Sequence, residues 1–140
     1  MTKVFLGGTA NKSRWRNFVI PKLIIDYFNP IVEDWDNEAY QKELFERKHC
    51  DYCLYVITPK MTGVYSIAEV IDDSNKQPEK TLFCVLLKDG DDKFSEAQIK
   101  SLEAVGKMVE KNGGKWFRSL KKLVLFLNSS NKVNYLEKVT

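Results

Sequence analysis

A single histidine and three cysteines are all that 140 residues offer for metal or redox chemistry. A zinc site draws on several such ligands brought together, so none is expected. An odd number of cysteines also argues against a disulfide framework. Cys50 and Cys53 form a C-x-x-C, but they lead into a strand, whereas an activated pair sits at a helix N-terminus that lowers the thiol pKa. Alternation along a strand would point the two to opposite faces, so they are expected to be reduced thiols that pack. His49 stands alone at a helix end, which suits the negative end of the helix dipole better than a Ser-His-Asp triad.

Other features are missing too. The N-terminus, MTKVFLGG, has no basic region followed by a long apolar stretch, so a secretory signal is not expected. No apolar run approaches the roughly 20 residues that span a bilayer. The net charge is only +3, and the bases are interleaved with acids. That pattern lacks the basic stripe of a nucleic-acid binder, and it tolerates an anionic small molecule. There is no internal repeat and no low-complexity segment. These absences point to a cytoplasmic protein with neither a membrane nor a nucleic-acid polymer as partner. At 44% hydrophobic residues, the chain can build one core but not two comfortable domains.

What is present alternates between strand and helix patterns. Apolar runs predict strands over 3–8, 28–32 (interrupted by Asn29-Pro30), 52–58, 80–87 and 115–118. Between them, helical spacing predicts helices over 11–25 (bent at Pro21), 37–49 (capped by Asn37), 65–75, 93–111 and 120–127. Strands without polar alternation belong to a parallel sheet covered on both faces. The expectation is an α/β, flavodoxin-like, doubly wound five-stranded parallel sheet with helices on both faces. It forms one domain over 1–128, followed by a polar tail over 129–140. Ligands of such sheets bind at the carboxyl ends of the strands, here FLGGT, FNPIVEDW and ITPKMTGVYS.

Several chemistries fail at that edge. GGTANKS resembles a phosphate loop, but Asn11 stands where a glycine should precede Lys12, and the spacing from Gly7 is one residue short. Gly7, Gly8 and Thr9 can still let a ligand approach the backbone closely. FLGG and YVITP carry none of the acids of a phosphoacceptor receiver domain. Carboxylates remain, and a carboxylate can attack a sugar carbon to give a covalent glycosyl-enzyme. Glu69 is the candidate. Its spacing from Ser66, S-x-x-E, is also that of a capping box, so a purely structural role stands beside the chemical one. A place at the helix N-terminus would keep the acid ionised.

FLGGT, YFNP followed by EDW, and CDYCLYVITPKMTGVYSIAEV together resemble the nucleoside 2-deoxyribosyltransferase family, in its short deoxyribosyltransferase-like branch, over about residues 3–87. The resemblance implies that Glu69, ten residues beyond Pro59, is the nucleophile. It implies a second acid on the nucleobase side at Glu43, eight residues before Asp51. Two departures accompany it. Phe5 stands where the family carries a tyrosine that contacts the nucleophile, and Gly63 stands where an acid is expected, or a phosphate-binding serine in related nucleotide hydrolases. Asp34, or Asp72 and Asp73, could supply the missing proton, although Asp72 and Asp73 read as a solvated helix face.

Trp35, between Asp34 and Asp36, is the better candidate to stack on a base, while Trp15 reads as core. Met61 and Tyr65 would cover the sugar, and Ser66 would cap the helix or bind substrate. The implied activity is cleavage of the N-glycosidic bond of a (deoxy)nucleoside or nucleotide, with transfer to another base or to water. No cofactor or metal is called for, and the resemblance implies a homodimer or larger homo-oligomer. The alternative is a nucleotide-binding or sensing module of the same fold without catalysis.

Overall fold

A computed structural model describes residues 1–10 and 12–139, with side chains described as far as Ser130. Five strands form one all-parallel sheet in the order β2-β1-β3-β4-β7. They are β1 (Lys3–Gly8), β2 (Asp26–Phe28), β3 (Tyr52–Ile57), β4 (Thr81–Val85) and β7 (Lys115–Phe117). Helices α1 (Trp15–Val19), α2 (Asn37–His49), α3 (Tyr65–Lys76), α4 (Glu96–Lys111) and α5 (Leu120–Val139) connect or follow them. This is the expected flavodoxin-like α/β architecture.

Both sheet faces are buried, which is why the strands lack a polar alternation. Val4, Leu6, Leu54, Val56, Leu82 and Cys84 face α1 and α5, where they meet Trp15, Val19, Leu123 and Leu127. Phe5, Cys53, Tyr55, Ile57, Phe83 and Val85 face the opposite layer, with Val70, Leu102 and Val109. Each fully buried Leu, Val or Phe contributes about 1.5–3 kcal/mol relative to exposure.

Several boundaries differ from expectation for identifiable reasons. The first helix is only Trp15–Val19 followed by a 3-10 turn at Ile20–Lys22, because Pro21 ends the helix instead of bending it. Asn11, its expected start, lies outside the described residues. Strand β2 precedes Asn29-Pro30 instead of running through them. The cap of α2 is Asp36, not Asn37: its side chain accepts from the Ala39 N–H at 2.8 Å. Helix α5 runs on well past Leu127. Cys50 and Cys53 are both buried in the same apolar cluster, not on opposite faces, because Cys50 lies in the turn before β3 and escapes strand alternation.

One element was not foreseen. Strands β5 (Lys88–Asp89) and β6 (Asp92–Lys93) form an antiparallel hairpin turning at Gly90, whose φ is +61°. It reaches back to the mouth of the sheet. Asp89 accepts from Ser13 Oγ at 2.5 Å in the loop after β1, and Asp92 pairs with Lys60 Nζ at 2.8 Å in the loop after β3.

Candidate active site

The strand order reverses between β1 and β3, so their carboxyl ends open a crevice. The two ends are clipped together there. Thr9 N–H donates to the Val56 carbonyl at 2.8 Å, and Thr58 N–H donates to Thr9 Oγ1 at 3.0 Å. Glycine is required at both last positions of β1. A Cβ on Gly7 would stand 2.8 Å from the Tyr55 ring, and Gly8 has φ +116° with its backbone against Val56.

Arg16, from α1, braces this edge from beneath. Its Nη2 and Nη1 donate to the carbonyls of Leu6 and Thr9, each at 2.8 Å, and its guanidinium lies 4.3 Å from the Trp15 ring. No carboxylate lies within ion-pair distance of it among the described residues. Burial therefore pulls its pKa down to about 10, which still leaves it charged.

Two adjoining hollows occupy the crevice. One, of about 290 Å³, is lined by Phe5, Gly7, Arg16, Trp35, Glu43 and Glu69 among others. The second, of about 280 Å³, is lined by Thr9, Met61 and Gly63, and the two share Gly8, Ala10, Tyr65 and Ser66. All the expected site residues but one thus meet here. Asp34 is the exception: it is exposed and lines neither hollow.

The capping-box expectation for Glu69 does not hold. Helix α3 begins at Tyr65, with Val64 as its N-cap and no side-chain cap bond. Ser66 is therefore inside the first turn, and Glu69 lies one turn deeper, too far along to bond back to the cap. The capping box of this fold is in α4, where Ser95 and Gln98 bond each other's backbone N–H. Freed from capping, the Glu69 side chain turns to α2, where Arg47 Nη1 lies 3.6 Å from Oε2. Glu69 is only 9% exposed. Burial pushes its pKa up to about 7; Arg47 pulls the other way, and Glu43 and Asp73 add to the rise. The expectation that the helix terminus would hold it ionised fails for the same reason: the dipole acts within the first turn.

Arg47 was not singled out as a site residue from the sequence, and it is a buried hub. Its Nη2 donates to Asp73 Oδ1 at 2.9 Å and lies 3.4 Å from Asp72. Asp73 in turn accepts a short hydrogen bond from the Tyr55 hydroxyl. Asp73 is 3% exposed, so the reading of it as solvated surface is overturned, while Asp72 remains half-exposed and paired with Lys76. Burial, then Asp73, raises the Tyr55 pKa well above its usual value, so the hydroxyl keeps its proton and donates it. Burial opposes the Arg47 charge, but its anionic neighbours push its pKa above the ordinary arginine value.

Glu43 is half-buried and accepts from Trp35 Nε1 at 3.1 Å. Burial raises its pKa, while Trp35 and Arg47 lower it. Trp15 is core, as expected, with Nε1 donating to the Thr9 carbonyl at 2.8 Å. His49 Nδ1–H donates to the Phe45 carbonyl, 2.8 Å away, at the end of α2, which keeps it out of the site. Among the described residues no group of His, Cys, Asp and Glu could hold a metal ion, and no helix is long and apolar enough to cross a membrane.

The crevice lies at the switch point of the sheet, where open α/β sheets bind their ligands, and is lined by two carboxyls and three aromatic rings. Residues 1–86 match the family described as nucleoside 2-deoxyribosyltransferase like, and the chain belongs to that family. Comparison with curated proteins and with solved structures found no match.

Proposed function

We propose that the protein cleaves the N-glycosidic bond of a (deoxy)nucleoside or nucleotide through a covalent glycosyl-Glu69 intermediate. The observation that carries this reading is the convergence of Glu69 and Glu43 on one hollow with Trp35 at its rim. In its ionised form Glu69 attacks the anomeric carbon. The C–N bond breaks as a C–O ester bond forms, and the bonding pair leaves with the base. The base needs a proton, and Glu43, hydrogen-bonded to Trp35 on the base side, delivers it. A second free base then attacks the anomeric carbon to complete a transfer, or water does so to complete a hydrolysis. The C–O ester bond breaks, Glu69 leaves as its carboxylate, and the proton of the attacking group returns to Glu43.

Gly7, Gly8, Thr9, Met61, Gly63, Tyr65 and Ser66 line the space for the sugar and its 5′ group. The three buried, unpaired thiols suit a reducing compartment such as the cytoplasm. The reading extends to a homodimer or larger assembly, tested by light scattering, where a monomer would count against it.

A non-catalytic nucleotide-binding module is the second reading, and Phe5 favours it, since its ring brings no hydroxyl to the nucleophile. The deciding experiment incubates the protein with deoxynucleosides and their monophosphates, with and without a free base, and follows base release by chromatography. Release only with an acceptor means a transferase, and release without one a hydrolase. Release by wild type and none by Glu69→Gln supports the mechanism. Tight binding without release supports the module.

A further inference from the structure

Glu69 needs its charge to attack, and its surroundings oppose that charge. Around it stand Glu43 from α2, Asp72, Asp73 and Tyr65 from α3, and Tyr55 from β3, while Arg16 from α1 lines the same hollow. Of these, Glu43 and Asp73 repel a second negative charge. Arg47 is the one cation in ion-pair contact with Glu69 among the described residues.

The placement of Arg47 is itself constructed. Its Nη2 is held by Asp73 at 2.9 Å. Asp73 is fixed by the Tyr55 hydroxyl and by Gln77 Nε2 at 3.1 Å. The backbone of Arg47 is pinned as well, since its carbonyl accepts from Cys53 Sγ at 3.1 Å and from Gln77 Nε2 at 3.2 Å. Tyr55 can lie where it does because its register partner on β1 is Gly7, where any side chain would collide with the ring. Phe5, two residues earlier on the same strand, has no hydroxyl to offer. The tyrosine hydroxyl of this site therefore comes from β3 and reaches the acid through Asp73 and Arg47.

We propose that Arg47 is the positioning residue for Glu69: braced by Asp73 and Tyr55, it aims the carboxylate into the hollow and favours its charged form. The proposal rests on Glu69 being the nucleophile. Its geometry is a relay of contacts that a surface ion pair would not need, because an exposed pair contributes only about 0–1 kcal/mol. The cation at 3.6 Å also offsets part of the burial that favours the protonated acid.

The test reads Glu69 directly. Carbon-13 NMR titration of the Glu69 carboxyl, assigned by its loss in Glu69→Gln, is compared in wild type, Arg47→Gln and Arg47→Lys. We expect Arg47→Gln to increase the proton affinity of Glu69 about tenfold, one pH unit, and Arg47→Lys to restore most of the wild-type value. The acid limb of kcat/KM for base release should move by the same amount in Arg47→Gln and return in Arg47→Lys. A titration that is the same in all three proteins overturns the proposal, even if base release is intact. If wild type releases no base, the catalytic reading falls, while the titration still decides whether Arg47 governs the charge of Glu69.

Should Arg47→Gln not fold, Tyr55→Phe takes its place, since it loosens Asp73 but removes no charge. It is expected to raise the proton affinity of Glu69 by less than the tenfold of Arg47→Gln, and to lower kcat several-fold with KM nearly unchanged. An unchanged titration there overturns the bracing role of Tyr55. Unchanged kcat in that variant overturns the relay.

Discussion

Trp35 donates its indole hydrogen to Glu43, with Nε1 3.1 Å from Oε1, while the ring edge packs on Tyr40 at 5.2 Å. Trp35 is 58% exposed, so little of its area stabilises the fold. Trp35→Phe should therefore change stability by no more than about 0.5 kcal/mol. It removes a bond that lowers the Glu43 pKa, so that pKa should rise further, and KM for the nucleoside should rise several-fold. A loss of several degrees in Tm would instead make Trp35 a structural residue.

The acid proposed as nucleophile should also weaken the fold. Glu69 titrates near 7 in the folded protein against an ordinary 4.5, so folding favours its protonated form. Its contribution to stability is complete below about pH 4.5 and is lost as pH rises through about 7. Gln carries no charge at any pH. Glu69→Gln should match wild type near pH 4.5 and exceed it above pH 7, by up to about 3 kcal/mol. Urea unfolding at pH 5 and pH 8.5 checks this, and equal stabilities at both would show that Glu69 is not strained by burial.

Gly8 should not tolerate a methyl group. With φ +116°, a Cβ there would stand 2.1 Å from the Val56 carbonyl oxygen. Gly8→Ala should cost more than about 2 kcal/mol through backbone strain and collision. Gly63→Ala is the control, because nothing lies within 4 Å of its Cβ position, and it should be close to neutral. Equal denaturation midpoints for the two variants would refute the reading of the β1 terminus.

The three thiols should be silent in the native state. Burial pushes Cys50 and Cys84 up to about 12 and Cys53 above the usual thiol range. The thiolate is the reactive species. Ellman's reagent at pH 8 should find none of them in the folded protein and all three in denaturant. Rapid labelling of the native protein would mean that one of them reaches solvent.

The sheet was legible because its strands announce themselves: YCLYVI and TLFCV are apolar on both faces, as central parallel strands must be. Glu69 and Trp35 were legible as an acid and an aromatic beside strand ends. Arg47, Asp73 and Arg16 were not. Each is a charged residue on a helix, and the sequence does not distinguish a solvated charge from one that a neighbouring element will bury and pair. Only the fold brings Arg47, on α2, to Asp73, on α3, across 26 positions of chain. The start of α3 at Tyr65 was legible, but S-x-x-E fits a cap on spacing alone: with Val64 as N-cap, Ser66 falls inside the first turn and does not cap the helix.

The β5–β6 hairpin lies just past the matched segment, which ends at residue 86. Two of its three aspartates, Asp89 and Asp92, are register partners, and each takes hold of a different loop at the crevice, one through Ser13 and one through Lys60. The loops after β1 and β3 are thereby both tied to one short ribbon. The crevice is in this way bounded from outside by a ribbon that lines neither hollow.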